Sequence, residues 1–494
     1  MTDDATTPQV VRWPRLGGVA RELFYVDLRS LALLRVCLGL LILADLVTRA
    51  RHFTAHYTDL GVAPRAVLLD QYGMSCYLSV HWWLRGSVAA EAIVFVVGGL
   101  FAIGLIAGRF TRIMTAGCWY LQASLLMSMP ILHTAGDRTL QLMLFWALFL
   151  PMGARWSLDA SKRIGLGPQS NTYVSVAGFA ILMQVCFVYW FAVALKMYAP
   201  MWREGYAVAF TLTRDSYVTE FGAWVRQHEG ILGLLTLSVL AWELLGPALA
   251  FIPMITAIGR LGAIIGFWLL HIGFGLCFDL GIFAWISSAA WLVFVPTEFW
   301  DRVLPRSRAD PAAGPLRPGR VETIAAAAFF AIVLALNVRS IPHFRKFVPR
   351  FVERAGNVMR LRQGWGMFTK QEDAQGRANN GRFVIAATLA DGGEIDLLAD
   401  GEPVSWVLPD SGARRYGTAR WSQFHYFYYE LSTSPYWPPY VDYLCRTWDR
   451  RLGDDGSIDR IAIWFLVRPS AAFGDEHVRP VLLYEGGCEL GTVK

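Results

Sequence analysis

Long apolar runs separated by short polar connections dominate the first two thirds of the chain. A helix needs about 20 apolar residues to cross the roughly 30 Å hydrocarbon core of a bilayer. The sequence contains about nine runs that approach this length, and the fourth and eighth are short. The predicted transmembrane helices cover Leu31–Val47, Val88–Ala107, Thr111–Ile131, Leu140–Pro151, Val174–Lys196, Ile231–Pro253, Leu261–Leu280, Ile282–Pro296 and Thr323–Val338.

The pattern changes after the last apolar run. Phe383–Leu389 and Glu394–Leu398 flank an Ala-Asp-Gly-Gly turn, which is typical of a β-hairpin. Arg460–Val467 and Val481–Tyr484 resemble two further strands, whereas Pro439–Arg451 has a helical pattern. We therefore expect a small β-rich domain at the C-terminal end.

Together these patterns predict a polytopic α-helical membrane protein with a C-terminal β-rich soluble domain. A Pro-rich stretch before the last helix is interpreted as a linker. The predicted parts are a cytoplasmic N-terminal segment at 1–30, a transmembrane bundle at 31–300, a cytoplasmic linker at 301–320, the last transmembrane helix at 321–340 and the β-rich domain at 345–494.

The composition agrees with a membrane protein. Of 494 residues, 55% are hydrophobic and only 17% are charged, against about 25% charged in typical globular domains. This balance excludes a disordered chain, a collagen and a coiled coil. The net charge of +6 is spread over short loops and forms no basic stripe, so we expect no nucleic-acid partner.

Basic residues also predict the orientation in the membrane. With the N-terminus in the cytoplasm, the inner loops hold about twice as many Arg and Lys residues as the outer loops. Nine helices then place the C-terminal domain on the periplasmic side of a bacterial inner membrane. Cys76, Cys445 and Cys488 fall on this oxidising side, where one disulfide is expected, and the sequence does not choose the pair.

Ionisable groups within transmembrane helices are costly and mark functional sites by default. Buried ion pairs that fix helix register are the alternative interpretation. Lys196 could extend its amine to the interface, or it could be a buried amine that acts as a base. His271 could be an interhelical hydrogen-bonding group or a catalyst. The full set comprises Arg35, Asp45, Glu91, Asp137, Lys196, Glu243, His271 and Asp279.

Other motifs give weaker indications. The spacings Gly104/Gly108 and Gly262/Gly266 are typical of close helix packing. The aromatic residues between 424 and 440 are expected to pack beneath the outer face of the bundle, and ligand binding or a place at the membrane interface are the alternatives. The chain has no phosphate loop, dinucleotide fingerprint, HExxH or GxSxG motif, so neither a metal nor a nucleotide is indicated.

Several segments resemble the horizontally transferred transmembrane (HTTM) family, which includes the vitamin K-dependent γ-glutamyl carboxylases. The first helix carries the family's arginine, glycine and aspartate as Arg35, Gly39 and Asp45. The resemblance covers about residues 27–300 and weakens beyond them. The other similar segments are GDRTLQLMLFWALFLPMGARWSLD (136–159), YWFAVALKMYAPMWREGYAV (189–208) and HIGFGLCFDLGIF (271–283).

The resemblance implies a site and a cofactor. Lys196 occupies the position of the family's proposed base, which deprotonates vitamin K hydroquinone. The implied cofactor is reduced vitamin K or menaquinol, and the implied partners are membrane lipids and a protein or peptide substrate on the outer side. The expected catalytic residues are Lys196 and His271, and the expected cofactor-binding residues are Arg35, Asp45, Trp202 and Glu243.

One departure concerns the fourth helix. Carboxylases carry a histidine at its start, and this chain has Gly136-Asp137 there, with His133 about one turn away. The leading hypothesis is a quinone-linked epoxidase or carboxylase-like enzyme. The alternative is a non-catalytic membrane module that displays its soluble domain to a partner. Transport has less support, since the two halves show no repeat.

Overall fold

The computed structural model describes most of the chain. It covers residues 18, 22–161, 170–304, 316, 318–370, 380–408, 413–430, 435–453, 457–468 and 477–488. Most of the predicted Pro-rich linker and of the N-terminal segment lies outside these residues. The described chain is mainly helical and ends in a β-sheet.

Helices occupy all nine regions in which the sequence predicts them. Among the described residues, six helices (α1, α2, α5, α6, α7 and α9) are long and apolar enough to cross a membrane. The remaining three are shorter or less apolar. The bundle helices are α1 (Leu28–Ala50), α2 (Val88–Ala107), α3 (Thr111–Ser128), α4 (Ala135–Ala147), α5 (Val176–Lys196), α6 (Glu229–Leu249), α7 (Thr256–Cys277), α8 (Phe283–Ala290) and α9 (Arg320–Ser340).

Short helices fill the connections. The α-helical ones are Phe53–Tyr57, Arg65–Tyr72, Val80–Leu84, Leu158–Ser161, Pro200–Arg203, Ala207–Thr211, Glu220–Arg226 and Thr297–Val303. The 3-10 turns are Gly73–Leu78, Pro130–Leu132, Trp291–Phe294, Pro342–Phe347, Leu397–Ala399 and Ala413–Tyr416.

Local sequence sets the helix ends. Ser87 caps α2 by accepting a hydrogen bond from the amide of Ala90, and Gly108 ends the same helix in the left-handed conformation. Thr134 and Asp137 form a reciprocal capping box at the start of α4. Asp137 therefore has a structural role where carboxylases carry a histidine nearby.

The helix bundle has two distinct ends. At the first end, Arg29 at the start of α1 pairs with Asp301, and Arg112 at the start of α3 pairs with Glu322 at the start of α9. At the second end, the last turns of α1, α5 and α7 lie near the C-terminal part of the chain. We call the second end the domain-facing end, because the sheet domain packs on it.

The C-terminal sheet confirms the predicted hairpin and the two later strands. Its five antiparallel strands have the order β5-β4-β3-β6-β7, and a separate two-stranded pair joins β1 and β2 near the start of the bundle. The strands are β1 (Val26–Asp27), β2 (Thr172–Tyr173), β3 (Gly381–Leu389), β4 (Glu394–Asp396), β5 (Glu402–Pro403), β6 (Ile458–Val467) and β7 (Arg479–Gly487).

Three further helices lie in the C-terminal part of the chain. Of these, α11 (Ala419–Glu430) and α12 (Trp437–Leu452) pack with the sheet, and α12 confirms the predicted helix there, whereas α10 (Arg350–Val358) packs on α9. A disulfide joins Cys445 on α12 to Cys488 after β7, while Cys76 is a buried free thiol. The structure thus selects one pair among the three cysteines that the sequence left open.

Part of the chain that follows α10 packs with the bundle. Leu361 and Trp365 are fully buried in the core of the bundle, and the indole of Trp365 donates to Asn337 on α9 at 3.0 Å. The segment 359–370 therefore belongs to the bundle. It does so because its apolar side chains fill the domain-facing end between the helices.

Candidate functional site

Lys196 and Glu243 form a buried pair at the domain-facing end of the bundle. The Nζ of Lys196, the last residue of α5, donates to Oε2 of Glu243 on α6 at 2.5 Å. The same Nζ lies 4.3 Å from the centre of the Trp202 ring, in a cation–π contact. Lys196 is only 2% exposed, so it does not extend to the interface as the simpler sequence interpretation required.

Close packing of α6 against α7 carries Glu243 towards His271. A Cβ atom on Gly266 would lie 1.9 Å from the Trp242 ring, so only glycine permits this approach. Gly262, the other half of the predicted spacing, faces open space. Gly266 alone therefore explains the close packing of α6 and α7. This packing brings Lys196 of α5, Glu243 of α6 and His271 of α7 around one cavity.

His271 belongs to a buried polar chain. The Trp291 indole donates to the Tyr189 hydroxyl at 2.9 Å, and this hydroxyl can donate its own hydrogen to Nε2 of His271 at 2.8 Å. Because Nε2 then accepts a hydrogen bond, the hydrogen of the neutral imidazole lies on Nδ1. That Nδ1 is buried and has no hydrogen-bond partner among the residues that the structure describes.

A small cavity of about 40 Å³ lies between these groups. By the volume that one ordered water requires, it has room for about two or three waters. Apolar side chains from α5, α6, α7 and the 359–370 segment supply much of its lining. Its polar lining comes from Tyr189, Lys196, Thr211, Glu243 and His271. We call it the lysine cavity.

A larger cavity of about 260 Å³ lies beside the lysine cavity, between the bundle and α11 of the sheet domain. Phe283, Met367 and Phe368 line both cavities and form the wall between them. Phe368 has a positive φ of 55°, a conformation that is costly for a residue with a bulky side chain. The Trp202 indole donates to its carbonyl at 2.7 Å and holds this wall in place.

His133 lies in the lining of the larger cavity. Its Nε2 donates to the backbone carbonyl of Leu126. Burial lowers the pKa of His133 to about 3, so its imidazole is neutral at physiological pH. The histidine that the sequence places one turn before Asp137 therefore faces the cavity next to the lysine cavity.

Two of the predicted cofactor-binding residues lie elsewhere. Arg35 is buried near the opposite end of the bundle, where its guanidinium donates to the carbonyls of Leu105, Ile106 and Trp156. It thus supports the end of α2. The structure brings together Lys196, His271, Trp202 and Glu243, and it does not bring Arg35 or Asp45 to them.

Asp45 belongs to a second buried cluster of charges. Arg49 pairs with Asp45 at 2.8 Å and with Asp137 at 2.6 Å. Arg420 of α11 reaches into the bundle and contacts the same two aspartates, at 2.6 and 2.9 Å. Two positive and two negative charges balance, and the cluster ties the sheet domain to the bundle.

Some site residues carried no clear signal in the sequence. Tyr189 and Trp291 are ordinary aromatic residues of apolar runs, and Met367–Phe368 follows the last predicted helix. Arg420 lies in a polar stretch of the soluble domain. Within the buried polar chain of Trp291, Tyr189 and His271, only His271 was visible as an ionisable residue in a transmembrane run.

The site shows no metal-binding arrangement. Among the described residues, no group of three or more His, Cys, Asp or Glu side chains could hold a metal ion. No known protein family, characterised protein or solved structure matches the chain. The site must therefore be interpreted from its own geometry.

Proposed function

We propose that the protein is a membrane enzyme that takes a proton from a reduced quinone in the lysine cavity. The observation that carries the proposal is a buried Lys196–Glu243 pair that shares an apolar cavity with the unpartnered Nδ1 of His271. An acid–base pair and a separate hydrogen-bond donor at one apolar site favour proton abstraction.

The Lys196–Glu243 pair can supply a base. In this proposal the proton that Lys196 donates to Glu243 passes to the carboxylate, which away from water leaves two neutral groups. The neutral amine of Lys196 then accepts a proton from a hydroxyl in the cavity and becomes an ammonium again. The negative charge left on that oxygen lies beside this ammonium.

His271 supplies a donor for a negatively charged oxygen. Its Nδ1 hydrogen has no partner in the described part of the chain, so an oxygen of the bound molecule can accept it. The apolar lining and these two polar points fit a ring with oxygen substituents. A reduced quinone, either vitamin K hydroquinone or menaquinol, would supply an acidic hydroxyl and would then react with oxygen.

The wall between the two cavities controls whether a quinone can enter the lysine cavity. The lysine cavity holds only about two or three waters, so a ring of two fused six-membered cycles needs more space. The larger cavity behind Met367 and Phe368 provides that space when these side chains move. A closed wall keeps bulk water from the charged oxygen, which protects a strong base from quenching.

The test is aerobic conversion of reduced vitamin K or menaquinol to its epoxide by purified protein in lipid nanodiscs. Lys196→Met should lower the rate by at least about 100-fold, the scale of a lost general base. Glu243→Gln should also lower it strongly. A Glu-rich peptide and labelled bicarbonate in the same reaction report whether carboxylation follows.

Arg302→Met is the matched control, since Arg302 is exposed at the opposite end of the bundle. Its rate should equal that of the wild type. Thermal melting of each variant verifies folding. Well-folded wild type that forms no epoxide would refute the quinone chemistry and leave the non-catalytic membrane module as the better hypothesis.

A further inference from the structure

The chain that leaves the last bundle helix carries an unusual surface. Residues 342–358 comprise a 3-10 turn, Pro342–Phe347, and the helix α10, Arg350–Val358. This basic aromatic segment begins two residues after Ser340, where α9 ends. It therefore lies at the level where an apolar helix of membrane-spanning length reaches the polar boundary of a bilayer.

Large apolar side chains of the segment face outwards. Phe347 is 66% exposed, Phe351 is 70% exposed and Val358 is 62% exposed, and Phe344 is also exposed. Phe351 and Val358 are two turns apart on one side of α10, and Phe347 precedes them at the end of the 3-10 turn. No described part of the chain covers these rings.

Basic side chains accompany the exposed rings. Arg345, Lys346, Arg350 and Arg354 are all exposed, and the nearby acidic residue, Glu353, is already paired with Arg339 at 2.6 Å. The segment thus presents four positive charges that no described acidic residue pairs with, around exposed phenylalanine rings. This combination is typical of helices that lie in the interface of anionic membranes.

The segment is held rigidly on α9. Besides Glu353, Arg339 donates to the carbonyls of Arg345 and Val348, at 2.9 and 2.8 Å. Gly356 packs so closely on Leu336 that a Cβ atom there would lie 2.5 Å from its side chain. The inner face of the segment is therefore fixed against α9, and the aromatic face stays outward.

We propose that the basic aromatic segment binds anionic phospholipids at the domain-facing surface of the membrane. The phenylalanine rings enter the boundary between headgroups and acyl chains, and the four basic side chains contact lipid phosphates. This inference is independent of the quinone chemistry. The proposal assigns a lipid class to residues 342–358, which directly precede the 359–370 segment that contains Met367 and Phe368 of the cavity wall.

The test uses the full-length protein in nanodiscs of phosphatidylcholine, with or without one part in three of phosphatidylglycerol. Phosphatidylglycerol should slow hydrogen–deuterium exchange of residues 342–358 in the wild type. Native mass spectrometry of detergent-purified protein should show about tenfold weaker phosphatidylglycerol retention for the fourfold variant R345Q/K346Q/R350Q/R354Q. In the variant F347S/F351S, phosphatidylglycerol should no longer slow hydrogen–deuterium exchange of residues 342–358.

R450Q/R451Q/R460Q/R479Q is the matched control, because it removes four exposed charges from the sheet domain. It should retain the lipid as the wild type does. Equal retention by both fourfold variants, or exchange that does not respond to phosphatidylglycerol, would overturn the proposal. So would protection that follows protein concentration, since it would identify a second copy of the chain as the occupant.

Discussion

At the scale of single residues, the Tyr189 hydroxyl controls how His271 faces the lysine cavity. Tyr189→Phe would remove the partner of both Trp291 Nε1 and His271 Nε2. Each unsatisfied buried group costs about 1–3 kcal/mol, so we expect lower stability and a second imidazole tautomer. NMR of protein labelled with ¹⁵N-histidine measures the tautomer.

Trp291→Phe is the companion variant, because it keeps the hydrogen bond between Tyr189 and His271. It should lose stability but leave the His271 tautomer unchanged. An unaltered His271 spectrum in Tyr189→Phe would show that the hydroxyl does not set the tautomer.

His425 provides a prediction about acid stability. It is buried in the sheet domain, where Nε2 lies 2.7 Å from the Tyr440 hydroxyl, and burial lowers its pKa to about 4. The unfolded chain has the ordinary pKa of about 6.5 and binds more protons between these values. The folded state should therefore lose on the order of 3 kcal/mol through His425 as the pH falls from about 6.5 to about 4.

His425→Gln tests this prediction, because glutamine keeps hydrogen-bonding capacity without titrating. Chemical unfolding should show a weaker loss of stability than in the wild type over the same pH range. His133→Gln is a useful comparison, since the folded pKa of His133 is about 3 and it acts in the same direction. Parallel pH curves for His425→Gln and wild type would refute the assignment.

At the scale of elements, Arg420 fastens helix α11 to α1 and α4. Arg420→Leu would leave Asp45 and Asp137 with one arginine, Arg49, and an uncompensated buried negative charge. Breaking such a buried pair typically costs about 3–5 kcal/mol. We expect a clear drop in melting temperature and faster proteolysis of the connections around α11.

Two further variants complete this test. Arg446→Leu on the neighbouring α12 is the control, because Arg446 is exposed and donates only to the carbonyl of Leu60 among its described contacts. Asp45→Asn combined with Arg420→Leu should destabilise less than the sum of the two changes. Additive losses would show that Arg420 does not act through this aspartate.

Elements were predictable from the sequence where a local pattern defines them. Apolar runs located the bundle helices, and the turn at Ala390–Gly393 located the hairpin of β3 and β4. Rotations of helices about their axes were not predictable, since they depend on contacts such as Gly266 against Trp242. For that reason the sequence identified Lys196 and Glu243 as candidates but did not pair them. It also grouped Arg35 with the cofactor-binding residues, although Arg35 lies near the opposite end of the bundle.

At the scale of the whole molecule, the number of crossings decides where the sheet domain lies. Contacts place the starts of α1, α3 and α9 at the first end of the bundle and the end of α5 at the domain-facing end. Six crossings would leave the start of α1 and the end of α9 on the same side of the membrane. Nine crossings would place them on opposite sides. Nine crossings stay a prediction of the sequence, in which neighbours shield the less apolar helices α3, α4 and α8.

The last prediction follows from nine membrane crossings and from the disulfide. A bond between Cys445 and Cys488 requires an oxidising compartment, which agrees with a sheet domain outside the cytoplasm. In a variant without the other cysteines, a membrane-impermeant maleimide should label these two in spheroplasts only after reduction. Ser161→Cys, in the connection at the opposite end, should react only in inverted vesicles. The reverse pattern would place the sheet domain in the cytoplasm and would contradict both the nine crossings and the N-terminus inside.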